Sequence, residues 1–345
     1  TNYLQAYSGE TAMSLLTQML GLGVQNFLSA ATGVAVMAAM ARGLSPRGGV
    51  LGNFWADLTR VTVRVLLPLS LAAAFFLVWQ GVPQTFSAGA RAATLEGAAQ
   101  TIPLGPVASQ EAIKQLGTNG GGFYGANSAH PLENPTPLSN FAELLLILLL
   151  PGACVFAYGE LAGGRSHARL LFRVMLVLWA LSLAAALWAE YGSGAPMEGK
   201  ETRFGVTNSV LWAVSTTAAS NGSVNAMHSS LSPAAGGLAL FNMMLGEVVF
   251  GGAGSGMYGL ALFALLTVFL CGLMVGRTPE YLGKKVERRE MQMVITGILA
   301  PGAAILIGAA ITCALPSALA SLSAKGPHGF TELLYAWTSA AANNG

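Results

Sequence analysis

Residues 115–130 read QLGTNGGGFYGANSAH, an unusual sequence for its surroundings. The stretch holds five glycines and two asparagines, yet the 345-residue chain around it is 53% hydrophobic and only 9% charged. Non-helical backbone is tolerated at membrane depth only where it is buried in protein or lines a water-filled cavity, because lipid cannot satisfy its N–H and C=O groups. We therefore expect a loop that enters a membrane protein and faces an internal cavity.

Apolar runs elsewhere in the chain are long enough to cross a membrane. VTVRVLLPLSLAAAFFLVW and LLFRVMLVLWALSLAAALWA each approach the roughly 20 residues that span a hydrocarbon core about 30 Å thick. We predict an all-α polytopic membrane protein with a single transmembrane domain over residues 1–345. Its six predicted spans cover residues 11–41, 60–80, 138–159, 170–190, 237–275 and 291–313.

Basic residues are distributed unequally between the connectors of these spans. The connectors after the first, third and fifth spans carry twelve basic residues, against five in the others. The positive-inside rule therefore places the twelve in the cytoplasm and residues 115–130 outside. The formal net charge of +2 follows from this topology and gives no sign of nucleic-acid binding. The run KKVERRE is expected to be a cytoplasmic turn, with contact to lipid headgroups as the alternative.

The external connectors repeat one another. LGTNGGGFYGANSAH, TAASNGSVNAMH and TSAAANNG each bring a short helix-like run to an Asn-Gly step, and TNYLQAYSG is a partial fourth copy. Recurrence at the same place in a helix, short helix, loop, helix order indicates an internal repeat of about a hundred residues. The predicted domain boundaries are the end of repeat 1 at 1–59, repeat 2 at 60–169, repeat 3 at 170–290 and the start of repeat 4 at 291–345.

The short run before each loop is too short to cross a membrane. VASQEAIKQLG, for example, makes a helix of roughly 15 Å, half of a bilayer core. We predict three such pore helices, whose C-terminal dipole ends favour a cation at the central axis. Glycine lets backbone carbonyls turn toward that axis, and a ring of carbonyls can replace the hydration shell of a monovalent cation.

Side chains near the loops fit this prediction of a cation filter. The Asn-Gly steps contain no acid, so a carboxylate ring of the kind that selects divalent cations is not expected. Glu10, Glu111 and Glu133 flank the loops, where we expect them to cap pore helices and hold the mouth together. The asparagines are either simple turn formers or filter positions, and their recurrence beside glycine favours the second interpretation.

Several motifs together resemble a known family. TNYLQAYSGET, GLGVQNFLSAATG, GTNGGGFYGANSAHPLENPTPLSN, TTAASNGSVNAMH and YAWTSAAANNG are similar to the potassium-binding A subunits of the Kdp potassium-transporting ATPases, K⁺ transporters built from four helix–loop–helix repeats. The resemblance runs from end to end. The first loop of that family reads TNTNWQ, so residues 1–5 match only its tail, and we expect this chain to be a fragment without the first and last helices.

The resemblance implies which residues bind K⁺. Each loop contributes one glycine-type position, here Thr1, Gly120, Gly222 and Gly345, and Gln5 lies at the filter mouth. The complete set of filter residues, which would coordinate K⁺ through backbone carbonyls, is Thr1, Asn2, Thr118, Asn119, Gly120, Ser220, Asn221, Gly222, Asn343, Asn344 and Gly345.

The resemblance also implies a function and partners. It implies an ATP-driven K⁺ uptake complex in the bacterial inner membrane, with the filter loops outside and K⁺ as the transported ion, without an organic cofactor. The partners are a P-type ATPase subunit and two small subunits, and ions leave the filter sideways through a tunnel into the ATPase. The sequence itself also predicts that another chain hydrolyses ATP. Asp57 is its only aspartate, and the phosphorylation motif DKTGT is not present.

Two alternatives remain at this point. A channel-like or gradient-driven K⁺ transporter of the same superfamily would share the fourfold loops. An intramembrane hydrolase would need a nucleophile, and GGAGSG around Ser255 nearly matches a serine signature but has Ala253 at its first position. GGAGSG also lacks the lysine and hydroxyl residue of a P-loop.

The fifth predicted span is too long for one helix. Residues 237–275 would measure about 58 Å, nearly twice the hydrocarbon thickness. We predict a break at GGAGSG, where glycines weaken the helix, and a gate loop that blocks the cytoplasmic route from the filter. The alternative is that small residues allow close helix packing. The predicted gate residues are Gly251, Gly252, Gly254, Ser255 and Gly256.

Overall fold

The computed structural model describes residues 9–46 and 50–344. Within these residues the chain is built from long apolar helices, shorter helices between them, and two small hairpins. The helices are α1 (Thr17–Leu44), α2 (Phe54–Gln80), α3 (Val107–Leu116), α4 (Pro137–Ala162), α5 (Arg165–Gly192), α6 (Gly205–Ala218), α7 (Pro233–Met244), α8 (Ser255–Met274), α9 (Arg288–Ala314) and α10 (Gly326–Ala341). Single helical turns at Gly9–Ala12, Asn127–Ala129, His228–Ser230 and Pro316–Ala320 complete the helical structure.

In the part of the chain that the structure describes, six helices are long and apolar enough to cross a membrane. They are α1, α2, α4, α5, α8 and α9, and they correspond one by one to the six predicted spans. The all-α polytopic fold class is therefore confirmed. Helices α3, α6 and α10 contain 10, 14 and 16 residues, and each ends directly before an Asn-Gly loop. The three predicted pore helices are thus present.

The fifth span is broken, as its length required. Helix α7 ends at Met244 and α8 begins at Ser255, so residues 245–254 connect them without an α-helix. Two non-glycine residues in this segment, Glu247 and Phe250, have φ angles of 56° and 65°, which an α-helix excludes. The predicted bounds were wrong at both ends, since the break starts earlier and Ser255 already belongs to α8.

Two antiparallel hairpins lie in the connectors and were not predicted. Strands β1 (Gly89–Ala93) and β2 (Ala99–Pro103) pair between α2 and α3. Strands β3 (Glu280–Tyr281) and β4 (Lys284–Lys285) pair between α8 and α9. The first pair is largely exposed and has no alternation of apolar and polar residues from which a strand could be recognised.

Two of the short helices, α3 and α6, lie in the interior of the bundle. Nine of the ten residues of α3 are buried, including the polar side chains of Glu111, Lys114 and Gln115. Among the long helices, α5 is mostly exposed, as expected for a surface that faces lipid. Helices α3 and α6 are therefore buried inside the bundle, whereas only one side of α10 is buried.

Candidate functional site

The three described Asn-Gly loops begin with the same backbone conformation. Thr118, Ser220 and Asn343 each follow a pore helix, and their φ angles are 53°, 54° and 58°. Left-handed conformations are uncommon for residues other than glycine and are unfavourable for threonine. Their recurrence at equivalent positions shows that the three loops begin with one geometry, which the repeated sequence motif predicts.

Each pore helix also ends with the same hydrogen bond. The backbone N–H of Asn119 donates to the carbonyl oxygen of Lys114 at 2.9 Å. The N–H of Asn221 donates to Thr216 at 3.1 Å, and that of Asn344 to Ser339 at 2.9 Å. This bond reaches back five residues and turns the chain away from the helix axis. The asparagine backbone thus terminates the helix, so one role of these residues is structural.

The asparagine side chains connect successive loops. The side-chain amide of Asn221 donates to the carbonyl oxygen of Lys114 at 3.3 Å, in the preceding repeat. Asn344 makes the equivalent bond to the carbonyl oxygen of Thr216 at 3.1 Å. The side chain of Asn119 contacts the hydroxyl of Ser29 in α1. These amides are therefore engaged with protein, which leaves the backbone oxygens as the candidate ion ligands.

The second and third loops approach each other through their glycines. An ideal Cβ on Gly120 would overlap the carbonyl oxygen of Asn221 and lie 2.5 Å from its carbonyl carbon. It would also lie 2.6 Å from the carbonyl carbon of Gly222. Both glycines have a positive φ, 63° at Gly120 and 91° at Gly222. No side chain fits at position 120, because the backbone of the neighbouring loop occupies that space.

Several carbonyl oxygens in these two loops accept no hydrogen bond from the part of the chain that the structure describes. Among the described residues, no hydrogen-bond donor reaches the carbonyls of 118–120 or 220–222. Asn221 is completely buried and Gly222 is also buried. Buried carbonyls are almost always paired, so a group of unpaired ones needs a partner such as water or an ion. The described residues contain no cluster of three or more His, Cys, Asp or Glu side chains that could hold a metal ion.

Acidic residues stabilise the second loop from outside. Glu133 is completely buried, accepts the N–H of Tyr124 at 2.8 Å and pairs with the Lys114 ammonium at 2.8 Å. Glu10 accepts the N–H of Gly125 at 2.7 Å. Glu133 and Glu10 therefore hold the second loop in place, while the role of the three acids at the mouth stays a prediction. The prediction that they cap pore helices was wrong for α3, since its N-terminus has no side-chain cap.

Two further residues contact the loops and were missed by sequence reasoning. Lys114 donates to the carbonyl of Gly121, and the indole of Trp212 donates to the carbonyl of Ser223. Both side chains lie in pore helices and are fully buried. A lysine three residues after Glu111 in a helix between two membrane spans was a usable signal, because a buried cation requires a partner. Trp212 carried no such signal.

The segment between α7 and α8 lies against the two loops. The N–H of Gly251 donates to the carbonyl of Ala218 at 3.0 Å, at the C-terminal end of α6. The N–H of Ala253 donates to the hydroxyl of Thr118 at 2.9 Å. A Cβ on Gly252 would lie 3.5 Å from both the Thr118 hydroxyl and the Ser220 Cβ. Three of the five predicted gate residues, Gly251, Gly252 and Gly254, are in this segment, whereas the other two start α8.

A cavity of about 540 Å³ lies beside the loops. Ser220 and Asn343 of the loops line it, together with Tyr258 of α8 and Pro301 of α9. Glu247 also lines this cavity and is almost completely buried. The remaining predicted filter residues, Thr1, Asn2 and Gly345, lie outside the described residues, and so does the mouth residue Gln5.

Comparison with known proteins identifies the family. Residues 1–345 match the family model described as potassium-transporting ATPase A subunit. A potassium-transporting ATPase potassium-binding subunit of Pseudomonas aeruginosa is 57% identical over the whole chain, and one of Leptospira interrogans is 56% identical. The chain spans 63% of the length of these curated relatives. It therefore belongs to the family of potassium-transporting ATPase A subunits.

Proposed function

We propose that this chain binds external K⁺ and delivers it to a partner ATPase in an ATP-driven uptake complex. The observation that carries the proposal is the set of unpaired backbone carbonyls in two loops that begin with the same backbone conformation. The relatives are named potassium-binding subunits of a potassium-transporting ATPase, which supports the same ion and the same role. The K⁺ ligands are the backbone carbonyls of 118–120 and 220–222, with the equivalent carbonyls of the first and fourth loops.

The chemistry of these loops suits a monovalent cation. Carbonyl dipoles can replace the hydration shell of K⁺ without binding it too tightly for release. The C-terminal ends of α3, α6 and α10 all point toward the loops, where their dipoles add negative potential. Carboxylates stand behind the loop, as Glu133 does, and do not form part of the Asn-Gly steps.

The route out of the filter is sideways in this proposal. The segment 245–254 obstructs the direct path to the cytoplasm, because it packs on the Thr118 hydroxyl and the end of α6. The cavity beside Ser220 and Asn343 leads away from the filter between α8, α9 and α10. Deleting residues 251–256 from the full-length subunit should produce passive K⁺ leak without ATP. A deletion complex that assembles and remains tight to K⁺ would show that this segment is not a gate.

The partners supply the energy. Asp57 is the only aspartate in the sequence and is paired with Arg42, so this chain offers no aspartate for phosphorylation in a loop. We assign ATP hydrolysis to a P-type ATPase subunit, accompanied by two small subunits, in the bacterial inner membrane. The filter loops face outside, because the connectors on the opposite side carry most of the basic residues.

The test is Gly222→Asp in the full-length subunit, purified with its partner subunits. A side chain at this buried position would displace the loop and add a charge beside the ion, so the K⁺ concentration for half-maximal ATPase activity should rise and discrimination against other cations should fall. Gly194→Asp is the matched control, since Gly194 also has a positive φ of 87° but is exposed and has open space around it.

Two results would count against the proposal. Unchanged K⁺ affinity and selectivity in the Gly222→Asp complex would show that these loops do not form the K⁺ filter. K⁺ uptake by the wild-type complex that follows the ion gradient and needs no ATP would favour a gradient-driven transporter of the same superfamily.

A further inference from the structure

In the second and third loops, the carbonyl that follows the filter glycine is bound by a buried side chain. The ammonium of Lys114 donates to the carbonyl of Gly121 at 2.6 Å. The indole N–H of Trp212 donates to the carbonyl of Ser223 at 2.9 Å. Gly121 follows Gly120, and Ser223 follows Gly222, so the two acceptors are at equivalent positions of two repeats.

The two donors differ in chemistry and in position. Lys114 precedes its filter glycine by six residues and Trp212 precedes its own by ten, which is one helical turn earlier. One donor is a cation and the other is neutral. Both side chains are fully buried, so neither bond competes with water. Different residues thus bind the same carbonyl in two loops, whereas the carbonyls just before it have no described donor.

We infer that Lys114 and Trp212 are positioning residues. They make Gly120 and Gly222 the last residues of the second and third loops whose carbonyls can bind the ion. This inference rests on the proposed K⁺ filter. A carbonyl that accepts a hydrogen bond from a fixed donor keeps its orientation, and its oxygen is a weaker ligand for K⁺. The number and orientation of coordinating carbonyls contribute to selectivity, so excluding the next carbonyl limits the coordination shell.

The Lys114 ammonium is itself fixed. Its Nζ donates to Gly121 and to Glu133, the latter at 2.8 Å, and it also forms an ion pair with Glu111 at 2.5 Å. Burial of a lysine is unfavourable unless it is paired in this way. The buried acids that the filter does not use therefore have a function, which is to hold this cation against the loop.

The two positioning bonds belong to one network. Gln115 donates to Glu111 at 2.7 Å and accepts the hydroxyl of Ser223 at 2.9 Å. Lys114, Glu111, Gln115 and Ser223 therefore form a continuous chain of polar contacts from the second loop to the third. A change at one carbonyl is expected to affect the other loop as well.

The first test removes the neutral donor. Trp212→Phe keeps an aromatic ring and deletes the indole N–H, which frees the Ser223 carbonyl. The ratio of Rb⁺ to K⁺ concentrations for half-maximal ATPase activity should change about fivefold, as expected for one hydrogen bond, while the maximal rate at saturating K⁺ stays within about twofold. Trp337→Phe is the matched control, because Trp337 also lies in a pore helix but donates to the Thr312 hydroxyl at 2.8 Å.

The second test removes the cation without changing the net buried charge. The double variant Lys114→Met with Glu133→Gln neutralises one charge of each sign, and the new amide oxygen can still accept the N–H of Tyr124. The same change in ion ratio is expected. Glu133→Gln alone leaves the ammonium paired with Glu111 and able to bind Gly121, so its ion ratio should change less than that of the double variant.

The outcomes separate this inference from the proposed function. A wild-type complex without K⁺-dependent ATPase activity would overturn the proposed function. A K⁺-dependent wild type together with unchanged ion ratios in both variants would overturn the inference alone. Loss of assembly in both variants would also overturn it, because the two donors would then determine the fold and not the filter.

Discussion

The side-chain amide of Asn221 donates to the backbone carbonyl of Lys114 at 3.3 Å, across 107 residues of sequence. Asn344 repeats this contact with Thr216 at 3.1 Å, across 128 residues. In each pair the acceptor is also the carbonyl that ends the pore helix of the preceding repeat. Each loop is therefore built on the end of its predecessor, and the loops depend on one another for their positions.

The asparagine link can be tested at Asn221. Asn221→Ala leaves the loop without its bond to Lys114, and it should destabilise the complex by about 1–3 kcal/mol, the cost of a lost hydrogen bond at a buried site. Thermal unfolding of the purified complex measures this change, and K⁺ affinity should fall with it. Asn208→Ala is the control, because Asn208 donates to Phe204 at 2.9 Å within the same repeat. Equal effects at the two positions would contradict a special role for the link.

Two adjacent glycines should differ sharply in their tolerance of alanine. Gly120 faces the backbone of Asn221 and Gly222, so Gly120→Ala must displace the third loop. Overpacking of this kind costs about 1–3 kcal/mol, which predicts up to about a hundredfold rise in the K⁺ concentration for half-maximal activity. Gly121 has a φ of 75° but nothing within 4 Å of its Cβ position.

Gly121→Ala should therefore cost only the backbone strain of a left-handed alanine, about 1–2 kcal/mol. The informative measurement is K⁺ selectivity in the two variants, since a purely conformational penalty lowers stability without changing the ion preference. A Gly120→Ala complex with wild-type selectivity would contradict the contact between the two loops as a determinant of the filter.

The Thr118 hydroxyl should control the segment between α7 and α8. Thr118→Val keeps the shape of the side chain and leaves the N–H of Ala253 without its acceptor. The segment should loosen, and passive flux of K⁺ or Rb⁺ through reconstituted complexes without ATP should increase. Thr118→Ser keeps the hydroxyl and should remain tight. Identical leak in both variants would show that the Thr118 hydroxyl does not control the barrier to passive K⁺ flux.

His228 should make stability depend on pH. Its Nδ1 lies 2.5 Å from the hydroxyl of Tyr335, and burial lowers the pKa of His228 to about 3. The unfolded chain binds a proton below about pH 6.5 whereas the folded chain does not, so stability is complete above that pH and is lost as pH falls toward 3. The loss is about 1.4 kcal/mol per pH unit in that window.

Thermal unfolding of the complex between pH 7.5 and 5 tests this expectation. His228→Asn retains a polar atom toward Tyr335 and cannot titrate, so its profile should be flatter than that of the wild type. The same substitution at the exposed His328 should leave the wild-type slope. Parallel profiles for wild type and His228→Asn would mean that other groups cause the acid sensitivity.

The gross architecture followed from the sequence because its signals are local. The length of each apolar run determines that six helices can cross a membrane, and these six were predicted. The excessive length of residues 237–275 predicted a break in the helix. The position of the break was not predictable, because it depends on the left-handed backbone of Glu247 and Phe250. The recurring Asn-Gly steps indicated loops of a common geometry, which the φ angles of Thr118, Ser220 and Asn343 show.

Tertiary structure alone decided which atoms of the loops are available to an ion. The recurrence of the asparagines predicted that they are filter residues. The side-chain amides of Asn221 and Asn344, however, donate to carbonyls more than a hundred residues away. Sequence reasoning also could not assign Trp212 to the carbonyl of Ser223, since an apolar pore helix gives no sign of where one indole N–H points. The physical reason is that helix length, turn chemistry and repetition are properties of neighbouring residues, whereas the pairing of a buried carbonyl depends on every element that packs around it.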